Sequence, residues 1–136
     1  MAIILLDTSV ASLLLPDRAR RPELALYRPH IIGNTPALRF QSIAEPWKLA
    51  EKRRWGRERR DILDGFLRSF VVIPYDYEPA RVWARVCVEA ERAGRRLEAG
   101  DAWIAATAVH RRIVLLAHDR DFINLPISGL SAISFT

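Results

Sequence analysis

The sequence predicts an α/β fold, a three-layer α/β/α sandwich with a mainly parallel central sheet. Three observations carry that class. Short apolar runs of strand length alternate with helix-period segments along the whole chain. The first run, residues 2–6, is apolar throughout, as a strand covered on both faces must be. The chain has 136 residues, half of them apolar and 27% charged, which is enough for one core and too little for two. A single domain is therefore expected over residues 1–136.

The elements follow in order. Residues 2–6 form the first strand and end at Asp7-Thr8-Ser9. Residues 10–15 continue as a helix, stopped by Pro16-Asp17, and a short helix over residues 23–27 is closed by Pro29. Residues 37–41 read as the second strand. Ser42-Ile43-Ala44-Glu45 fits a capping box that opens a helix to about Arg54, with Pro46 in its first turn. Ile62, Leu63, Phe66, Leu67 and Phe70 recur at helical spacing over residues 57–70, and Val71-Val72-Ile73 is the third strand. A helix over residues 79–93 stops at Gly94, and an alanine-rich helix spans residues 98–111. Residues 113–117 and 132–135 supply the last two strands.

Composition narrows the function. No apolar run approaches the roughly 20 residues of a membrane helix. The start of the chain lacks a basic segment and meets Asp7 early, unlike a signal peptide, so a cytoplasmic protein is expected. A lone Cys87 and three scattered histidines disfavour disulfides and zinc. Lysine and arginine total 21 against 16 acids, a net charge of +5, and all but Lys48 and Lys52 are arginines. They cluster at Arg18, Arg20 and Arg21, at Arg53, Arg54, Arg57, Arg59 and Arg60, and at Arg95-Arg96 and Arg111-Arg112. Such clusters suit phosphate, though an arginine-biased set of solvated helix faces gives the same pattern.

The acids have a more telling distribution. Sites in open parallel sheets form beyond the carboxyl ends of the strands. Asp7 ends the first strand, Asp119 and Asp121 follow the fourth, and Glu45 begins the helix after the second. Asp101 lies in the first turns of the helix that leads into strand four. Singly, each has an ordinary role as a cap, a first-turn acid or a turn residue. Together on one rim they repel, by about 3 kcal/mol per pair at about 5 Å and an effective dielectric of about 20. A cation would offset that cost. An all-oxygen donor set favours Mg2+ or Mn2+, and carboxylate-held metal beside arginine-rich segments suits phosphodiester hydrolysis. Setting the four acids Asp7, Glu45, Asp101 and Asp119 aside leaves twelve acids against 21 bases, or +9 for the rest.

Four blocks in order carry a resemblance. They are Leu5-Leu6-Asp7-Thr8-Ser9, Phe40-Gln41-Ser42-Ile43-Ala44-Glu45, the stretch from Gly94 to Ala108 centred on Gly100-Asp101-Ala102-Trp103-Ile104-Ala105-Ala106, and Leu115-Leu116-Ala117-His118-Asp119-Arg120-Asp121-Phe122 with Gly129-Leu130. On these residues the chain resembles PIN-domain proteins, specifically the VapC-type ribonuclease toxins of bacterial type II toxin–antitoxin pairs. The resemblance implies a metal-dependent endoribonuclease whose four acids map onto Asp7, Glu45, Asp101 and Asp119, with Asp121 competing for the fourth place. It makes Asp7 and Asp101 the surest metal ligands and gives Thr8 or Ser9 an orienting role. It also implies RNA as substrate, a homodimer, and inhibition by a cognate antitoxin. Three positions depart from the family pattern: Ala117 stands where Thr is common, Pro46 where Leu is, and Arg96-Leu97 where Pro-Ile is.

Two other classes compete. A receiver-like domain would use Asp76 as phosphoacceptor, but it wants a lysine after a late strand, and both lysines lie early. A catalytically silent nucleic-acid or antitoxin-binding module would use the arginines with Trp47, Trp55, Trp83 and Trp103. Trp103 is expected to serve the core more than a base. The Leu and Trp faces over residues 10–15 and 47–55 offer dimer or antitoxin surfaces.

Overall fold

The computed structural model describes residues 2–15 and 21–136. Strands β1 (Ile3–Leu6), β2 (Thr35–Arg39), β3 (Val71–Ile73), β4 (Val114–Leu116) and β5 (Ala132–Ile133) form one sheet in the order β3-β2-β1-β4-β5. Every pairing is parallel, with Leu5 registered between Ala37 and Leu115. Helices α1 (Thr8–Ala11), α2 (Leu24–Ile31), α3 (Phe40–Lys52), α4 (Arg57–Arg68), α5 (Tyr77–Arg92) and α6 (Ala99–Arg111) cover both faces.

The period of two along each strand sorts the core into two layers. Leu5, Ala37, Ile73, Leu115 and Ala117 point toward α5 and α6, where they meet Val86, Ala90, Ile104, Ala105 and Ala108. Ile4, Leu6, Leu38 and Leu116 point the other way, onto Val10, Leu24, Tyr27, Leu63 and Leu67. Leu5, Leu6, Leu115 and Leu116 are all fully buried. Central parallel strands are apolar on both sides for this reason, and the sandwich has the three layers expected of it.

Local boundaries differ from expectation in informative ways. The chain turns from β2 into α3 at Arg39, so Ser42 is the third residue of the helix and not its cap. Its buried hydroxyl accepts a hydrogen bond from Thr8 Oγ1 at 3.1 Å, a tertiary contact that the capping-box pattern mimics. Glu45 and Pro46 consequently lie in the second turn. Pro29 likewise sits inside α2, which runs on to Ile31. The carbonyl it leaves without a helical donor belongs to exposed Ala25, where water can serve. Residues 10–15 split into α1 and a single 3-10 turn over Ser12–Leu14. Val10, Ala11 and Leu13 are buried, while Leu14, Leu15, Trp47 and Trp55 are half-buried against the same core and Leu49 is exposed. The predicted stop at Pro16-Asp17 lies outside the described residues, as do Arg18 and Arg20.

Some clustered arginines are structural. Arg60 donates to the carbonyls of Trp55 and Ala50 and pairs with Glu51, fixing the turn between α3 and α4. Arg95 donates to the carbonyls of Ile123 and Asp121, anchoring the loop after β4. Asp76 accepts from the Tyr77 N–H at 2.7 Å and caps α5. It follows the edge strand β3, whereas a receiver-like order would place its third strand at the centre of the sheet.

Tyr27 ties the carboxyl end of the sheet to α2. Its ring is fully buried, and its hydroxyl lies 2.7 Å from His118 Nδ1, 3.3 Å from the Ala117 carbonyl and 3.0 Å from the Phe135 N–H, which donates to it. Tyr27→Phe leaves these groups short of a partner inside the fold. It is expected to cost about 1–3 kcal/mol of stability in urea unfolding. An unchanged midpoint would show that water replaces the hydroxyl without loss.

Candidate active site

Strands β1, β2 and β3 step outward in one direction and β4 and β5 in the other. The crevice beyond the carboxyl ends of β1 and β4 is therefore the topological switch point of the sheet, the usual place for a site. Asp7 follows β1 directly. Its N–H donates to the Leu116 carbonyl at 2.9 Å, and its own carbonyl accepts from Val10 and Ala11, starting α1. The carboxylate faces the crevice, where Ser9 Oγ donates to Asp7 Oδ2 at 2.7 Å. The same Ser9 oxygen accepts from the His118 N–H at 2.9 Å. One hydroxyl thus aligns the ends of both central strands.

Helix α6 runs back against the strands, since it leads into β4 with only a two-residue link. Its N-terminus therefore lies at the carboxyl edge, and Asp101 is its third residue. Close approach there depends on Gly100, where a Cβ would come to 3.2 Å from Gln41 Nε2. Glu45 reaches the crevice from the second turn of α3. A cleft of about 340 Å³ is lined by Asp7, Thr8, Arg39, Gln41, Ser42, Glu45, Glu98, Gly100, Asp101 and Ile104. Asp119 completes the rim from the loop after β4. Its N–H donates to Ser134 Oγ, that hydroxyl donates back to the Asp119 carbonyl, and Asp119 Oδ1 accepts from the Asp121 N–H.

These acids feel one another. The Asp101 pKa is pushed up from 3.8 to about 7, first by burial and then by the negative charges of Asp119, Asp7, Asp121 and Glu98. Asp7 is also raised by burial, which outweighs its hydrogen bond from Ser9 and the Thr8 and Ser9 amides, with Asp119 adding repulsion. Glu45 is raised by burial and by Asp7, against the opposing pull of Gln41, Thr8 and Arg39. Oxygens of Asp101, Asp119 and Asp121 approach within 4.8 Å of one another, a spacing able to hold a divalent cation.

The fold thus brings Asp7, Glu45, Asp101 and Asp119 to one rim, with Thr8, Ser9 and Asp121 beside them. Sequence reasoning missed Arg39, which lines the cleft at the end of β2 although it is only 4% exposed. Burial lowers its pKa, and Glu45 and Tyr75 resist that shift. Glu98 also lines the cleft, from the residue just before α6, and Ser134 holds the backbone of Asp119.

Fold and site together define a PIN-type acidic centre, and the PIN domain description matches residues 4–127. The chain belongs to the PIN-domain family. Over 53 residues it is 40% identical to Ribonuclease VapC5 of Mycobacterium tuberculosis, a match covering 39% of this chain and 39% of that protein. The matched stretch spans about two fifths of the relative's length. The crystal structure of VapBC-5, a VapBC toxin–antitoxin member from Mycobacterium tuberculosis, shares 26% identity at a TM-score of 0.70, over 99% of this chain and 100% of that one. DNA-bound VapBC from Salmonella typhimurium has the same fold at a TM-score of 0.79, with 20% identity over 98% of each chain. No helix among the described residues is long and apolar enough to cross a membrane.

Proposed function

We propose that this chain is the toxin of a type II toxin–antitoxin pair, an Mg2+- or Mn2+-dependent endoribonuclease that hydrolyses RNA phosphodiester bonds. The convergence of Asp7, Glu45, Asp101 and Asp119 at the switch point of the sheet carries this reading. Four carboxylates on one rim, one of them held neutral to about pH 7 without a cation, make an electrostatic demand that a divalent ion meets. The ribonuclease name of the relative and the toxin–antitoxin structures of similar fold support it. On this reading the protein works in the cytoplasm as a homodimer, and a cognate antitoxin inhibits it.

The residues divide the work by position. Asp7 and Asp101 line the same cleft and would hold the cation, with Glu45 and Asp119 as further oxygen donors. Asp119 takes precedence over Asp121 because it acts on Asp7 as well as Asp101, whereas exposed Asp121 acts on Asp101 alone among the shifted acids. When bound, the cation lowers the pKa of a water molecule and offsets charge building on the attacked phosphate. Ser9 fixes the aim of Asp7, and the Thr8–Ser42 pair fixes the start of α1 against α3. The +9 balance outside the four acids draws a polyanion toward the rim.

Purified protein freed of antitoxin is expected to cut total cellular RNA with Mg2+ or Mn2+ and to stop on addition of EDTA. End-mapping of the products would name the RNA and the cleavage site. Cleavage that persists in EDTA would remove the metal from the mechanism. Metal-independent RNA binding without products would favour a silent binding module on the same fold.

A further inference from the structure

Beside the acidic cleft stands a group of aromatic rings that the hydrolytic centre does not use. Arg39 joins the two. It lines the cleft, and its guanidinium lies 4.5 Å from the centre of the Tyr75 ring and 5.4 Å from that of Trp103. Period-two geometry explains the meeting: Arg39 has the parity of Ala37 on β2, and Tyr75 that of Ile73 beyond β3, so both lean toward the α6 face. Trp103 anchors the group from α6, stacking on Trp83 with ring centres 4.8 Å apart and meeting Tyr75 edge-on at 6.1 Å. Tyr75 and Phe40 form the outer tier, with centres 5.8 Å apart. They are 54% and 52% exposed, although their ring faces would gain by burial.

We propose that Tyr75 and Phe40, backed by Arg39, form a stacking subsite for an unpaired nucleobase next to the phosphate held at the acidic centre. The inference rests on the ribonuclease reading and deepens it by naming a substrate contact. Exposed rings beside the cleft that Arg39 and Gln41 line, with the Arg39 guanidinium on the inner side of one of them, are what single-stranded RNA engages by stacking. Arg39 is committed to the rings and to Gln41, to which it donates at 3.1 Å, so the platform is set before the ligand arrives. A peptide partner would instead want a concave apolar groove, whereas these rings stand beside a cleft lined by charged and polar side chains. The subsite favours single-stranded over duplex RNA, since only an unstacked base offers its face.

The test uses the full chain carrying Asp101→Asn to prevent cleavage, and a short unstructured RNA with 2-aminopurine in place of its adenines. Binding with Tyr75 present is expected to quench the base fluorescence. Tyr75→Phe should keep both quenching and affinity. Tyr75→Leu should lose the quench and weaken binding roughly 5- to 100-fold in protein that still unfolds cooperatively well above the assay temperature. Phe40→Leu provides a second variant on the same tier, expected to weaken binding in the same direction. Equal affinity and quenching in the tyrosine and leucine proteins would overturn the subsite. So would loss of antitoxin binding with RNA binding intact, which would make the rings a protein-docking surface. Fluorescence reports stacking without turnover, so a wild-type chain that cuts no RNA yet quenches the base would count against the nuclease reading alone.

Discussion

Asp101→Asn is expected to reduce metal-dependent RNA cleavage by roughly 1000-fold or more while leaving the fold intact. The carboxylate is the one on which the other acids of the rim converge, and on the proposed reading its charge would draw a cation to the cleft. Losing about 4 kcal/mol of transition-state stabilisation, a typical share for a cation at a phosphoryl centre, gives a reduction of that size. The metal-free variant should melt no lower than wild type, because asparagine removes repulsion from Asp119, Asp7, Asp121 and Glu98 without changing shape. Asp7→Asn should have a similar effect on rate, since Asp7 lies at the centre of the switch point and its partner Ser9 can still bond an amide oxygen. Asp121→Asn should stay within about tenfold of wild type, as a solvent-exposed acid is replaceable by water in a hard-cation shell. Cleavage by Asp101→Asn within tenfold of wild type, with metal dependence retained, would remove that residue from the centre. A larger loss in Asp121→Asn than in Asp119→Asn would reverse the order of those two acids.

The central features were legible because they are local patterns with one physical solution. An all-apolar run ended by Asp7 can hardly be anything but a buried parallel strand with a rim acid, and Asp119 after Leu115-Leu116-Ala117 repeats the logic. A helix leading into a parallel strand must begin at the carboxyl edge, which places Asp101 before any coordinate is known. The start of α3 was misread because Ser-x-x-Glu satisfies two geometries. A capping serine and one that holds Thr8 across the sheet look alike until the contact 34 residues away is seen. Arg39 was invisible for a related reason. Its guanidinium meets Tyr75, which follows β3, and Trp103 of α6, and no local pattern reports three distant segments meeting. Charge counting failed in part because it treats every arginine as surface. Arg60 and Arg95 are held by backbone carbonyls and serve the fold, so the field offered to RNA comes from fewer residues than the clusters suggest.

Metal-free protein should lose stability as the pH rises through the range where ordinary carboxylates have no further effect. In the folded chain Asp101 ionises near pH 7, against 3.8 in the unfolded one, and Asp7 and Glu45 are displaced in the same direction. Between those limits the folded state holds more protons than the unfolded state, so raising the pH favours unfolding. The penalty is absent below the unfolded value and complete above about 7. Solvent screening at this half-exposed group holds its share to about 1 kcal/mol, or roughly 3–5 °C in a chain of this size. Binding of a divalent cation requires the ionised forms and releases protons, so it reverses the trend. Melting of EDTA-treated protein should therefore fall between about pH 5 and about pH 8, and Mg2+ should restore it mainly at the upper end. Asp101→Asn isolates the share of that carboxyl, since it should flatten the fall and shrink the Mg2+ shift together. A slope unchanged by that substitution, or an Mg2+ shift equal at both pH values, would mean that the rim acids neither repel as the geometry requires nor share a cation. In that case the acidic centre would have to be assigned to capping and turn roles, residue by residue.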